Sequence, residues 1–152
     1  MRDDIVKLWT AFRADNPDAP IEPPAIFHFC DNEADADICA DLVARGQKRA
    51  TASSLAELEI AGESIPQPGD FAIVTKWSGE PIGVIRTTNV ELRSFDEVDA
   101  DFAAREGEGD LSLEWWREAH EAYYRRVLAG SSHSFSGDLM IACEDFELVL
   151  KA

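Results

Sequence analysis

In a chain with 30 Asp and Glu against 14 Lys and Arg, one tight basic cluster stands out, Arg45-Gly46-Gln47-Lys48-Arg49. Ammonium and guanidinium groups there can hold an anion or stabilise an oxyanion. They can also simply answer a helix dipole, at ~0.3–1 kcal/mol per cation. A second group is acidic: Glu106, Glu108 and Asp110 alternate with Gly107 and Gly109. That spacing suits proton transfer between carboxyls, and it also suits oxygen ligands for a divalent cation. A solvated acidic turn that favours the start of the next helix is the plainer reading, so no metal is expected. The three histidines, His28, His120 and His133, are scattered and form no acid-base pair by spacing. His28, between Phe27 and Phe29, is close enough in sequence to the basic cluster to line a shared cleft. His120 could do the same from a later helix. Trp77, Trp115, Trp116, Tyr123 and Tyr124 are surfaces on which a base could stack.

The elements that must position these groups are readable from periodicity. Ile5, Leu8, Trp9 and Phe12 form one helical stripe, followed by a connector stiffened by Pro17, Pro20, Pro23 and Pro24. Residues 1–24 are thus expected to dock on a body spanning 25–152. A strand is predicted over Ala25 to Phe29, then a helix from Glu33 to Arg45 with Ile38, Leu42 and Val43 inward and Gly46 as its stop. Leu55 to Ile60 is a short helix. The runs Phe71 to Trp77 and Pro81 to Val90, joined by Ser78-Gly79-Glu80, predict an antiparallel hairpin. Two helices follow, Asp96 to Ala104 and Leu113 to Leu128, the second capped by Ser112 and carrying Trp116, Ala119, Tyr123 and Val127 inward. Leu139 to Leu150 alternates as a final strand. Strands with helices inserted between them, without regular alternation, predict an α+β domain with a mainly antiparallel sheet or small barrel. No GxGxxG or GxxxxGK[ST] is present, so a doubly wound nucleotide-binding sheet is not expected.

Composition narrows the function. A net charge of −16 opposes coating of a long polyanion. Cys30, Cys39 and Cys143 have no CxxC spacing and read as buried free thiols. No apolar run approaches the ~20 residues of a membrane span, and the first residues lack a signal-peptide pattern, so a cytoplasmic protein is expected. No protein partner can be identified.

The string from Gly46 to Thr51, GQKRAT, fits G-x-K-x-x-[T/S]. Together with Gly69-Asp70, Asp96-Glu97-Val98 and EGEGDLS over Glu106 to Ser112 ahead of a Trp-rich helix, it makes the chain resemble the ASCH family from about Phe27 to Val149. The resemblance implies a PUA-like small β-barrel with flanking helices and a nucleoside or single-stranded RNA ligand. Smaller relatives remove acetyl from N4-acetylcytidine with a Lys, a Thr and a Glu, and longer members are credited with ribonuclease activity. By that likeness the Lys and Thr fall on Lys48 and Thr51, and the Glu on Glu106, with Glu108 as the alternative. Arg45, Gly46, Arg49, His28, Arg86 and Trp115 are expected around the ligand. Amide hydrolysis is preferred; RNA cleavage and RNA binding without catalysis are the alternatives.

Two chemical schemes follow. In the first a neutral Lys48 takes the Thr51 proton, which requires its preference for the proton to fall by about 4 kcal/mol. In the second Lys48 stays charged and, with Arg86 or Arg93, stabilises an oxyanion while Glu106 handles protons. Either scheme needs a turn between Lys48 and Thr51, which would face opposite ways in a regular strand.

Overall fold

The computed structural model describes all 152 residues. The first helix, α1 (Asp3–Asp15), buries Ile5, Leu8, Trp9 and Phe12 as its stripe predicts. Its connector folds back on it: Trp9 Nε1 donates to the Pro20 carbonyl at 3.1 Å and Arg13 Nε to that of Ala19 at 3.2 Å. Strand β1 (Ala25–Phe27) ends two residues earlier than predicted, and α2 (Glu33–Ala44) starts on Asn32, whose side chain accepts from the Asp35 amide. Then come β2 (Ala50–Ser54) and α3 (Leu55–Ala61), the latter entered through a reciprocal Ser54–Glu57 capping box. The predicted hairpin is β3 (Phe71–Thr75) with β4 (Pro81–Ser94). A turn of 3-10 helix at Phe95–Glu97 precedes α4 (Ala100–Glu106), then α5 (Leu113–Leu128) and β5 (Met140–Lys151).

The five strands form one sheet in the order β1-β3-β4-β5-β2, antiparallel except for β1 alongside β3. Register shifts between Val84 and Ile85 and between Thr87 and Asn89 interrupt the long β4–β5 ladder. Bulges of this kind bend a strand and raise its twist. The sheet therefore curls into a half-barrel, the α+β fold expected. Its two edges, β1 and β2, contribute Phe27 on one side and Thr51 and Ser53 on the other to one cleft. The open seam of the half-barrel is where a ligand can enter.

Three helices differ from expectation. On α2, Ala36, Cys39, Ala40 and Val43 are buried while Ile38 is 57% exposed, because small alanines let the helix approach the sheet closely. On α5 the core line is Trp116, Tyr124 and Leu128, with Tyr123 and Val127 only half-buried. That line steps by four residues and passes through His120, a polar residue that an apolar count skips. The helix predicted from Asp96 is broken at Asp99, which accepts from the Phe102 amide and so restarts the chain as α4.

Candidate active site

The basic cluster is divided by the turn that follows α2. Gly46 takes a left-handed φ of 77°, and the amides of Gln47 and Lys48 both donate to the Leu42 carbonyl, at 3.0 and 3.1 Å. The chain then runs beside the end of α4: Gln47 Nε2 donates to Gly107 O at 2.8 Å and the Arg49 amide to Arg105 O at 2.9 Å. Approach this close depends on Gly107, where a Cβ would lie 2.4 Å from the Gln47 carbonyl oxygen and φ is 75°. The two sequence motifs are thus packed against each other. Lys48 points inward while Arg45, Gly46 and Arg49 point to solvent. The turn lies at Arg45–Gly46, ahead of Lys48, and residues 47–49 run on into β2 at Ala50 with no turn between Lys48 and Thr51, which corrects the expectation of one there; both residues nonetheless line the same cavity.

Lys48 is the centre of the site. It is 2% exposed, and its Nζ donates to Glu106 Oε2, Glu108 Oε2 and the Ala50 carbonyl, each at 2.8 Å. The Phe29 ring lies 5.0 Å from the ammonium. Burial pulls the amine pKa down, but the Glu106 and Glu108 carboxylates outweigh it and hold Lys48 above its ordinary value. The first scheme, a neutral lysine base, is thereby corrected: all the ammonium protons are already committed and the charge is locked in.

The two glutamates differ. Glu106 is buried, and its Oε1 accepts from Trp116 Nε1 at 3.1 Å and faces His120 Nε2 at 3.2 Å. Burial raises its pKa, yet Lys48 and His120 together bring it well below the usual carboxylate range. His120 stacks on Trp116 and donates from Nδ1 to the Trp116 carbonyl at 2.9 Å. With Nε2 against a carboxylate as well, both ring nitrogens face acceptors, and Glu106 raises the imidazole pKa against the effect of burial. Glu108 instead has its side chain 16% exposed and accepts from Cys39 Sγ at 3.3 Å. Burial and the neighbouring Glu106 push its carboxyl up, opposed by Lys48. Of the two, Glu106 is pushed toward its ionised form and Glu108 toward holding a proton.

Lys48, Thr51, Glu106, Glu108, His28 and His120 all line one cavity of 280 Å³ in the seam. Phe27, Phe29 and Tyr123 supply aromatic wall, and His28 tilts against Trp77 at 4.7 Å. A neighbouring groove of 520 Å³ shares Glu108 and His120 and adds Arg45 and Trp115 at its rim. Arg45 there is paired with Asp41 at 2.9 Å. Other expected residues do not join. Arg86 lies on the outer face, paired with Glu147, and Gly46 and Arg49 line neither hollow. Asp110 turns away, its Oδ1 accepting from the Ser112 amide and hydroxyl at 2.9 and 2.6 Å, so Glu106, Glu108 and Asp110, whose spacing alone would suit a cation but at which no metal is expected, do not converge.

Sequence reasoning missed Glu144. It is the cross-strand partner of Thr51 and lines, with Thr51, a further hollow of 380 Å³. Its Oε2 accepts from Thr87 Oγ1 at 3.2 Å, and burial lifts its carboxyl from 4.5 to about 7. A raised carboxyl destabilises the fold only once it must ionise, so stability should fall between pH 4.5 and about 7. Glu144→Gln is expected to flatten that part of the urea-unfolding profile and to raise Tm at pH 8. An unchanged profile would contradict the assignment.

A curled half-barrel whose seam holds a lysine clamped between two glutamates defines the class of protein. The ASCH domain family model matches residues 25–150, and the chain belongs to that family. The crystal structure of an ASCH domain from Lactobacillus crispatus is similar, with a TM-score of 0.88 and 34% identity over 99% of this chain and 96% of that one. Protein EF3133 from Enterococcus faecalis superposes equally well, at TM-score 0.88 and 29% identity, covering 99% of this chain and 91% of its own. No curated protein matches the chain. No helix is long and apolar enough to cross a membrane.

Proposed function

We propose that the protein hydrolyses the amide of an N4-acylated cytidine, with acetyl as the acyl group. The observation that carries this reading is the meeting in one small cavity of the Thr51 hydroxyl, the Lys48 ammonium and the Glu108 carboxyl. A volume of 280 Å³ is at the small end of ligand pockets, of the order of 300–1,000 Å³, and suits a nucleoside better than a polymer. Aromatic walls offer a base ~1–3 kcal/mol per stacked ring. The charge of −16 favours a neutral ligand over RNA.

Thr51 Oγ attacks the acyl carbon as Glu108 takes the hydroxyl proton. The negative charge that develops on the carbonyl oxygen is stabilised by the field of Lys48 in a water-poor pocket. Glu108 then delivers its proton to the departing N4 as the C–N bond breaks, and cytidine leaves. Water cleaves the Thr51 ester by the same route, with Glu108 now taking the water proton and returning it to Thr51 Oγ, and the carboxylic acid is released. Glu106 touches no reacting atom in this scheme. It is a positioning residue that holds Lys48, His120 and Trp116 in place.

Incubating the purified protein with N4-acetylcytidine and, separately, with single-stranded RNA, each with and without a divalent metal, tests the reading. Cytidine release with RNA left intact is expected. RNA cleavage lost in Lys48→Ala, with N4-acetylcytidine untouched, would place a ribonuclease in the same cleft and overturn the proposal.

A further inference from the structure

Two thiols the mechanism does not use sit at the wall of the same cavity. Cys30 follows β1, Cys39 lies on the inner face of α2, and Glu108 is in the turn after α4, so three separate stretches of chain meet. The Cys30 and Cys39 sulfurs are 3.6 Å apart, Cys39 Sγ is 3.3 Å from Glu108 Oε1, and all three donor atoms lie within 4.8 Å of one another. Around a tetrahedral zinc, with metal–sulfur and metal–oxygen distances of ~2.3 and ~2.0 Å, neighbouring ligands are separated by ~3.8 Å for two sulfurs and ~3.5 Å for sulfur and oxygen. The Cys30–Cys39 and Cys39–Glu108 edges fall within a few tenths of an ångström of these, and the Cys30–Glu108 edge is within 4.8 Å.

Two further observations separate this trio from ordinary thiol packing. Cys30 is held at a φ of 65°, in the left-handed region, a conformation that costs a residue with a side chain ~1–3 kcal/mol and gathers at ligand clamps. The charge pattern also fits. With both thiols ionised, Cys30, Cys39, Glu106 and Glu108 outnumber Lys48 and His120 by two charges, which a divalent ion cancels. Lys48 does not block the position, because it occupies Oε2 of Glu108 and leaves Oε1 to face the thiols.

We propose that Cys30, Cys39 and Glu108 form a zinc-type site with three protein ligands and a fourth position open to the cleft. Binding exchanges two thiol protons for the metal, so affinity rises with pH. The site shares Glu108 with the acyl-cytidine reading, and its test reads metal binding apart from turnover: a zinc ion on Glu108 Oε1 removes this carboxyl from proton transfer, so hydrolysis by that route belongs to the metal-free protein.

The test uses the full chain, reduced and stripped with a chelator, and reads binding rather than turnover. Zinc is measured by atomic spectroscopy after dialysis, and cobalt(II) is titrated optically as a probe of geometry. One ion per chain is expected, with a thiolate-to-cobalt charge-transfer band and the visible bands of a tetrahedral ion. Cys30→Ser and Cys39→Ser should each weaken binding by about 100-fold or more, while Cys143→Ser, altering the core thiol of β5, leaves it unchanged. Cobalt bound without the charge-transfer band, serine variants that bind like the parent, or a reduced parent that takes up no zinc would each overturn the proposal. So would a parent whose intact mass shows a Cys30–Cys39 disulfide that persists under the reductant and takes up no metal. Wild-type cobalt spectra keep the test decisive even where a serine variant unfolds.

Discussion

Lys48→Met is expected to destabilise the protein by about 3–5 kcal/mol, the loss typical of removing one partner from a buried ion pair. The thioether fills most of the space but supplies no charge, so Glu106, 1% exposed, is left facing only Trp116 and His120. Three hydrogen bonds from Nζ vanish together, including the one to the Ala50 carbonyl at the mouth of β2. Urea unfolding at pH 7 measures the loss. Lys48→Met combined with Glu106→Gln should recover a good part of it, since the neutral amide no longer demands a cation. The pH dependence has a fixed sign. Glu106 is held well below its ordinary value, so it contributes stability above about pH 4.3 that is lost as pH falls through its folded value. Without Lys48 that contribution shrinks, and acid unfolding moves to higher pH. A Lys48→Met protein as stable as the parent would mean the ammonium is not buried between these carboxylates.

Glu108→Gln should leave the fold intact and lower acyl-cytidine turnover by about 10²–10⁴-fold, the range for removing a general acid-base group. The amide keeps the shape, its oxygen can accept from Lys48 while its NH2 faces the Cys39 sulfur, but it cannot carry a proton between Thr51 and N4. Glu106→Gln should behave differently. It loosens Lys48 and His120 and appears first as lost stability, with activity following the folded fraction. The pair of variants therefore separates the two carboxyls that sequence could not rank. Equal stability losses with equal activity losses would assign Glu108 a purely structural part.

How much of this was legible in advance depends on which signal carried it. The Ile5-Leu8-Trp9-Phe12 stripe and the β3–β4 hairpin are set by local periodicity and a short turn, and both formed as read. Lys48 was legible because the string from Gly46 to Thr51 fits the ASCH pattern G-x-K-x-x-[T/S], while the acidic background only made its basic cluster stand out. Its charge state was not, because that depends on two carboxylates contributed 58 and 60 residues away. His120 was legible as a residue able to line the cleft, but its role was not, for a related reason. It belongs to the Trp116-Tyr124-Leu128 line, and the acid that holds it there, Glu106, comes from another element. Glu144 had no local signal at all, since its pairing with Thr51 is set by the register between β2 and β5. Arg86 was wrongly placed near the ligand because strand alternation says which residues share a face and not which face lines the seam.

The most direct measurement is a time course of cytidine and acetate release from N4-acetylcytidine by the parent and by Thr51→Ala, both first shown to be folded. Release of the two products in equal amounts by the parent, with Thr51→Ala inactive, is the predicted result. A parent that leaves the nucleoside intact, or a Thr51→Ala protein that matches its rate, would contradict the account.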